Sequence, residues 1–548
     1  MSIRARIETA VTRALAELGA GAARAKVVLE RPRENARGDL STPVAMSLAR
    51  TLRRSPLDIA EDIASRIRIS PGDVESMDVA RPGFINFRFA HGVLIQSVKD
   101  ALRFDEEYGR TDLGHGARVQ CEYVSANPTG PLVVVSARAA AVGSVLVNLL
   151  RFTGFDAEGE YYVNDYGRQV GKLGASLLFR LRELRGQVDT GEEIGAYPGA
   201  YLAEIAAGVS DENATTWLSH PDDHAAPGAY AASRLLDCIR EDMELYNVRF
   251  DNYFRESTLH PEGTAEVLRH FVDAGQTYES EGAVYFRSTA FGDEKDRVLR
   301  KSNGDDTYFL SDIAYHKTKI DRGFIRAIGL LGPDHHGHVP RMKAAMSVLG
   351  ADPDWFDVVL VGWVRLMENG VPISMSKRAG EFVTMRELVE DVGVDVAKYL
   401  FLMRRANSPL DFDLSLARKQ SDENPVFYVQ YAHARISSVV RFARSKGVRP
   451  DYARANLKAL VEAEERALML QITCFPYVVE AAAKSREPHR LTNFAQELAT
   501  AFHQFYHKCR IVTDDESLSA ARLALAEATR RTLRNTLTLL GVSAPQSM

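Results

Sequence analysis

Val119-Gln120-Cys121-Glu122-Tyr123-Val124 is followed by Ser125-Ala126-Asn127-Pro128-Thr129-Gly130-Pro131 and then by an apolar stretch, Val134–Phe152. A short run with branched and aromatic side chains, a loop of small and turn-forming residues, and a long Ala/Val/Leu run read as strand, loop and helix. That order is the first βα unit of a parallel sheet. Strand-like runs return at 283–286, 327–331 and 357–364. Helix patterns and polar loops dominate from about 166 to 290, where an insertion between two halves of the sheet is expected.

Upstream, helix patterns at 7–18, 43–52 and 56–67 alternate with strand-like segments at 25–29 and 84–89, the latter bounded by Pro82-Gly83. They describe a small α/β unit, and the charged, glycine-bearing stretch 105–116 reads as a linker. Downstream of Asp413 every strong pattern is helical. Asn424-Pro425 is a helix start, an N-cap side chain followed by proline at the first helical position. Val429, Ile436 and Val440 then fall on one stripe, and the last long helix, 517–540, stops at Gly541. The expected division is an α/β amino-terminal domain over 1–108, a parallel-sheet domain over 109–407 and an all-α bundle over 408–548.

A chain of 548 residues is too long for one core, and 45% hydrophobic with 26% charged residues excludes disorder, collagen and a small disulfide scaffold. Cys121, Cys238, Cys474 and Cys509 lie far apart with no C-x-x-C pair, which points to a reducing compartment. The first residues carry a charged amphipathic pattern, not a signal peptide, and the longest uncharged apolar run, 139–150, is too short for a bilayer. A cytoplasmic protein with no membrane partner is expected. Net charge is −5, unevenly spread: residues 1–70 hold 13 basic against 8 acidic side chains, residues 408–548 hold 19 against 15, and the centre is acidic. Such a split suits basic ends touching a polyanion and a central pocket for a cation.

Four clusters carry chemistry. The 125–131 loop joins a strand's carboxyl end to a helix, the edge where open parallel sheets bind ligands. Tyr308 and Asp312, four apart, share a face if helical. Asp334-His335-His336-Gly337-His338 invites a metal reading, but consecutive histidines point in different directions, and no metal is expected. Ser374-Met375-Ser376-Lys377-Arg378-Ala379-Gly380 is a basic loop able to reach phosphate as a lid.

In this order the pieces resemble the arginyl-tRNA synthetases, class I enzymes that join arginine to its tRNA with ATP. The most specific stretches are Glu122 to Leu132, Tyr161-Tyr162-Val163-Asn164-Asp165, Tyr308 to His316, Met375 to Gly380, and Asn424 to Ile436. The resemblance implies an α/β fold class. It consists of a Rossmann-type catalytic domain with an insertion, an amino-terminal domain touching tRNA, and a helical anticodon-binding domain. It also implies ATP with Mg as cofactor, and arginine and tRNA(Arg) or a tRNA-like RNA as partners. Glu122, Asn127, Tyr308 and Asp312 match positions that hold arginine, and carboxylates suit a guanidinium and an ammonium. Tyr428, Tyr431 and Arg435 lie on the helix resembling the anticodon reader, where aromatics stack on bases and Arg meets phosphate.

The chain departs from the family at the nucleotide signatures. Where the family carries His-x-Gly-His, this sequence reads Val133-Val134-Val135-Ser136, and Lys-Met-Ser-Lys reads Ser374-Met375-Ser376-Lys377. Two phosphate donors, a glycine and one lysine are lost; Gly130, where some relatives place a compensating lysine, is uncharged. Three readings follow: a synthetase whose phosphate contacts are weakened or supplied elsewhere, an inactive paralogue binding tRNA or arginine, and an altered enzyme using an already activated amino acid. In the last, Ser136 is the candidate nucleophile, as in cyclodipeptide synthases, although a serine at a helix start also serves as a cap.

Overall fold

A computed structural model describes residues 2–32, 38–188, 194–335, 337–373, 383–448 and 451–548. The chain opens with the helix Ile3–Leu18 and a three-stranded antiparallel sheet of β1 (Leu40–Thr42), β2 (Val74–Ala80) and β3 (Phe84–Phe89), with β3 in the middle. The segment expected as a strand at 25–29 joins no sheet among the described residues. Only the next residue, Glu30, bridges to Ser41, and Val28 is exposed.

The central sheet starts at β4 (Arg118–Glu122) and continues through β5 (Asp156–Val163) and β6 (Asn252–Arg255). A separate antiparallel sheet, β7 (Thr277–Ser280), β8 (Ala283–Phe286) and β9 (Arg297–Arg300), follows before β10 (Arg326–Leu331) and β11 (Phe356–Leu360) complete the central one. A third small sheet joins β12 (Val364–Glu368), β13 (Val371–Pro372) and β14 (Leu410–Asp413). The central order is β11-β10-β4-β5-β6, with every pairing parallel.

This is the expected Rossmann-type sheet, with corrections. The insertion expected over 166–290 is interrupted, because β6 returns to the central sheet at 252–255. The 283–286 run belongs to the antiparallel sheet, and the 357–364 run breaks after Leu360, so that Val364 enters a different sheet. Gly362 sits at that break, where a Cβ would come within 2.7 Å of Ser408 O.

Alternate residues of each central strand feed different cores. Tyr161, Cys121 and Ile328 pack with the helix Val134–Phe152, whereas Tyr162, Ala327 and Phe356 pack with the helices Tyr308–Asp321 and His338–Val348. Helices therefore cover both faces, as a buried parallel sheet requires. The Val134–Phe152 helix is long and apolar enough to span a bilayer, but most of it is buried in the fold. The carboxyl-terminal bundle comprises Pro425–Ser445, Ala463–Ser485, His489–Lys508 and Glu516–Leu539. Asn424 caps the first through Val426 N, with proline at the next position. The amino-terminal unit docks on this bundle: Arg466 forks onto Asp39 at 3.0 and 2.8 Å, and Tyr108 donates to Ile472 O at 2.9 Å.

Candidate active site

β4 and β10 are neighbours whose following connections run to opposite sides of the sheet, which opens a crevice at their carboxyl ends. Glu122 ends β4 at this edge, level with Gly329 of β10 and Glu160 of β5. The chain then turns through Val124 and Ser125 with φ of 67° and 39°. A β-branched residue in that region is strained, and the strain is held by side-chain bonds. Ser125 Oγ donates to Glu122 Oε1 at 3.2 Å and accepts from Tyr162 N at 3.1 Å, while Tyr161 OH donates to Ala126 O at 2.7 Å.

Thr307 caps the helix Tyr308–Asp321, which places Tyr308 on its first turn, exposed, and Asp312 one turn further in. Burial, then the negative charges of Glu122 and Glu256, push the Asp312 carboxyl up to about 8, against the pull of Lys319 and Arg341. Glu256 is itself buried; burial and Asp165 raise it to about 7, opposed by hydrogen bonds from Tyr162 and Ser311. The charges of Glu122, Glu256 and Asp312 thus act on one another and on Tyr162, whose ring centroid lies 4.4 Å from that of Tyr315. His338 Nε2 approaches Asp312 Oδ2 at 3.7 Å.

One cation already occupies the pocket wall. Lys319, 0% exposed, donates to Glu122 Oε2 at 2.7 Å and lies 4.0 Å from the Tyr315 ring centroid. Beneath it, Glu160 accepts from Tyr315 OH at 2.7 Å and pairs with Arg322 at 2.6 Å. Burial opposes the Glu160 charge, but these bonds hold its carboxyl below the usual range.

Of the residues expected at this site, Glu122 and Asp312 converge. Asn127 is exposed and donates to Gln169 Oε1 at 2.8 Å, and Tyr308 is exposed to solvent. The sequence reasoning missed Glu256 and Lys319. Lys319 follows Asp312 by seven residues, two turns of the same helix face, a spacing that was legible. Glu256 lies in a short 3-10 turn after β6 and carries no periodic signal.

At the other end of the crevice, Val133 is the N-cap of the Val134–Phe152 helix and makes no side-chain cap bond. Val133 pairs with Thr384, and Met385 N donates to Leu132 O at 2.8 Å. Val135 is half-buried. Ser136 is the third helical residue and buried, so the helix cap considered for it is corrected: the capping position is Val133. Arg138, fully buried, reaches Gly362 O at 2.9 Å, Ser408 O at 2.8 Å and Arg405 O at 3.0 Å; burial lowers its pKa to about 10. Ser374 and Lys377 lie outside the described residues, as does His336.

On the bundle, Tyr428, Tyr431 and Arg435 follow one face of Pro425–Ser445 and meet His503 and Tyr506 of the neighbouring helix. Tyr431 stacks on His503 at 6.0 Å, Tyr428 OH donates to Thr500 Oγ1 at 3.1 Å, and the Arg435 guanidinium lies 5.1 Å from the Tyr431 ring and 5.4 Å from that of Tyr506. Tyr431 is 41% and Tyr506 39% exposed, so this is a surface patch of rings around a cation.

A parallel sheet with an acidic pocket at its switch point, followed by a helical bundle with a ring-and-cation face, defines a class I aminoacyl-tRNA synthetase. The family description "tRNA synthetases class I (R), catalytic domain" matches residues 97–408. "Arginyl tRNA synthetase N terminal domain" matches 5–89 and "DALR anticodon binding domain" matches 429–548. The chain is 44% identical to the arginine–tRNA ligase of Heliobacterium modesticaldum, covering 100% of this chain and 99% of that one. It is 42% identical to that of Citrifermentans bemidjiense over 95% of this chain and 94% of that one. Its fold matches Thermus thermophilus arginyl-tRNA synthetase with a TM-score of 0.80 at 23% identity over 100% of both chains. The chain belongs to the arginyl-tRNA synthetase family, whose enzymes ligate arginine to tRNA.

Proposed function

We propose that this chain ligates arginine to tRNA(Arg) with ATP and Mg, with an activation step slowed by its altered nucleotide signatures. The observation that carries the reading is the grouping of Glu122, Asp312 and Glu256 at the carboxyl end of β4, with Lys319 at 2.7 Å from Glu122 and His338 at 3.7 Å from Asp312. A guanidinium and an ammonium together match two carboxylates better than any single cation does. Asn127 and Tyr308 complete the arginine contacts. Tyr428, Tyr431 and Arg435 take the anticodon region, with the domains divided near 108 and 408. Val133, Val135, Ser136, Ser374 and Lys377 stand at the ATP positions. Full-length likeness to ligases supports catalysis over a binding-only paralogue or an enzyme fed with activated amino acid. Four unpaired cysteines support a cytoplasmic setting.

Aminoacylation of tRNA(Arg) transcript with radiolabelled arginine tests the reading. Slow, arginine-specific charging is expected, and charging with another amino acid in preference to arginine would overturn it.

A further inference from the structure

We propose that His260 is the positioning residue of Glu256: it orients that carboxylate and thereby sets the preference of the amino-acid site for a planar guanidinium over an ammonium. The proposal rests on the synthetase reading and adds to it a residue that itself touches no substrate.

Glu256 is 3% exposed, and its Oε2 has no hydrogen-bond partner among the described residues. A buried carboxylate oxygen left unpaired is costly in a finished fold, and a cationic ligand supplies the missing donors. The other oxygen is flanked from within the chain. The 3-10 turn Glu256–Leu259 brings His260 back alongside the residue that opens it. His260 Nε2 lies 3.6 Å from Glu256 Oε1, with both side chains under a tenth exposed.

Ser311 Oγ sits 3.3 Å from the same nitrogen, and its hydroxyl bonds Glu256. Because the hydroxyl proton goes to the carboxylate, the oxygen lone pairs take the imidazole N–H, which places the ring proton on Nε2. Burial favours the neutral ring, against the pull of Asp306. Ser311 precedes Asp312, so this strut joins the Glu256 turn to the helix that carries the neighbouring carboxyl group.

The imidazole is held in turn. The Tyr166 ring lies over it, with centroids 4.0 Å and planes 9° apart. Asp165, the residue before Tyr166, accepts from Ser257 N at 2.9 Å, from Ser257 Oγ at 3.1 Å and from Arg255 Nη1 at 3.1 Å. These bonds tie the segment after β5 to the turn after β6. Lys319 holds Glu122 through a charge, whereas a neutral His260 holds Glu256 without cancelling its charge. A guanidinium needs the carboxylate in one plane to form two parallel bonds, while an ammonium accepts from any direction.

Calorimetry on the full chain tests this, with arginine titrated directly and lysine by competition. His260→Phe keeps a flat ring against Tyr166 and removes the nitrogens, and His260→Gln returns a donor at similar reach. His260→Phe should bind arginine about tenfold more weakly and lose less of its lysine affinity, with most of the loss recovered in His260→Gln. In a Glu256→Gln background the Phe substitution should add nothing further, since His260 acts through that carboxylate. Ser311→Ala breaks the strut from the other side and should give the same selective loss, which keeps the test open should thermal melts show that His260→Phe does not fold.

Equal losses of arginine and lysine affinity, or a His260→Phe effect that persists undiminished in Glu256→Gln, would reduce His260 to packing and overturn the proposal, leaving the synthetase reading standing. No arginine binding by the intact chain, even with tRNA present, would overturn both.

Discussion

Lys319 Nζ lies 2.7 Å from Glu122 Oε2, and the ammonium is almost wholly removed from solvent. One oxygen of the carboxylate at the end of β4 is thereby neutralised before any substrate arrives. The other, Oε1, accepts from Ser125 in the strained 124–125 turn. In the arginine site proposed above, Glu122 and Asp312 would share the substrate cation, with Lys319 setting how much negative charge remains.

Removing Lys319 leaves Glu122 unpaired at a partly buried site, and breaking such a pair costs about 3–5 kcal/mol. Lys319→Met is expected to lower thermal stability and weaken arginine binding by at least about tenfold. Lys319→Arg should restore much of both. Calorimetry with arginine and a thermal melt check the pair of variants; unchanged affinity in Lys319→Met would remove the lysine from the site.

Arginine binding should strengthen as pH rises from 6 to about 8, because protons compete with the guanidinium for Asp312 and Glu256, held up to about 8 and about 7. In each case the folded pKa lies above the ordinary carboxylate value, so the folded state binds protons more tightly than the unfolded one. The two groups therefore favour folding at low pH and lose that contribution as pH climbs through their folded values. Arginine titrations across pH, repeated on Asp312→Asn, check this. The variant should bind weakly and lose most of the pH slope.

Selectivity for arginine over lysine follows from bidentate carboxylate–guanidinium geometry, which an ammonium cannot match. Glu122→Ala and Asp312→Ala should each weaken arginine binding and narrow the preference. Calorimetry with both amino acids measures it, and unchanged arginine affinity in both variants would refute the pocket.

On the bundle, Tyr431→Ala should weaken tRNA binding by about 1–3 kcal/mol, the worth of one stacked base. Arg435→Ala should reduce the steepness of the salt dependence, since a lost phosphate contact releases fewer counterions. Filter binding over a salt series distinguishes the two effects.

Local pattern carried the frame. The βα unit from Val119 to Phe152 and the Asn424-Pro425 helix start are fixed by side-chain periodicity and capping, and both are formed as read. Strand membership was less legible. The four residues of β6 are too short to stand out from the helices around them, and 283–286 alternates as any strand does, whichever sheet it joins. At the site, Glu122 and Asp312 came from family likeness, whereas Glu256 and His503 reach their places by long-range packing. Arg138 is the clearest case: within its own helix it reads as a surface cation, and only the approach of 362 and 405–408 buries it.

The most direct test of the account is arginine-dependent ATP–pyrophosphate exchange with tRNA present, on the parent chain and on a variant restoring histidine at 133 and 136, glycine at 135 and lysine at 374. Two lost donors worth about 3 kcal/mol each slow activation by roughly four orders of magnitude, less where their effects overlap. The account predicts slow exchange in the parent, requiring arginine, and a large increase in the restored chain. Rapid exchange in the parent would show that the altered positions do not limit the nucleotide step. No exchange in either protein would contradict the ligase itself.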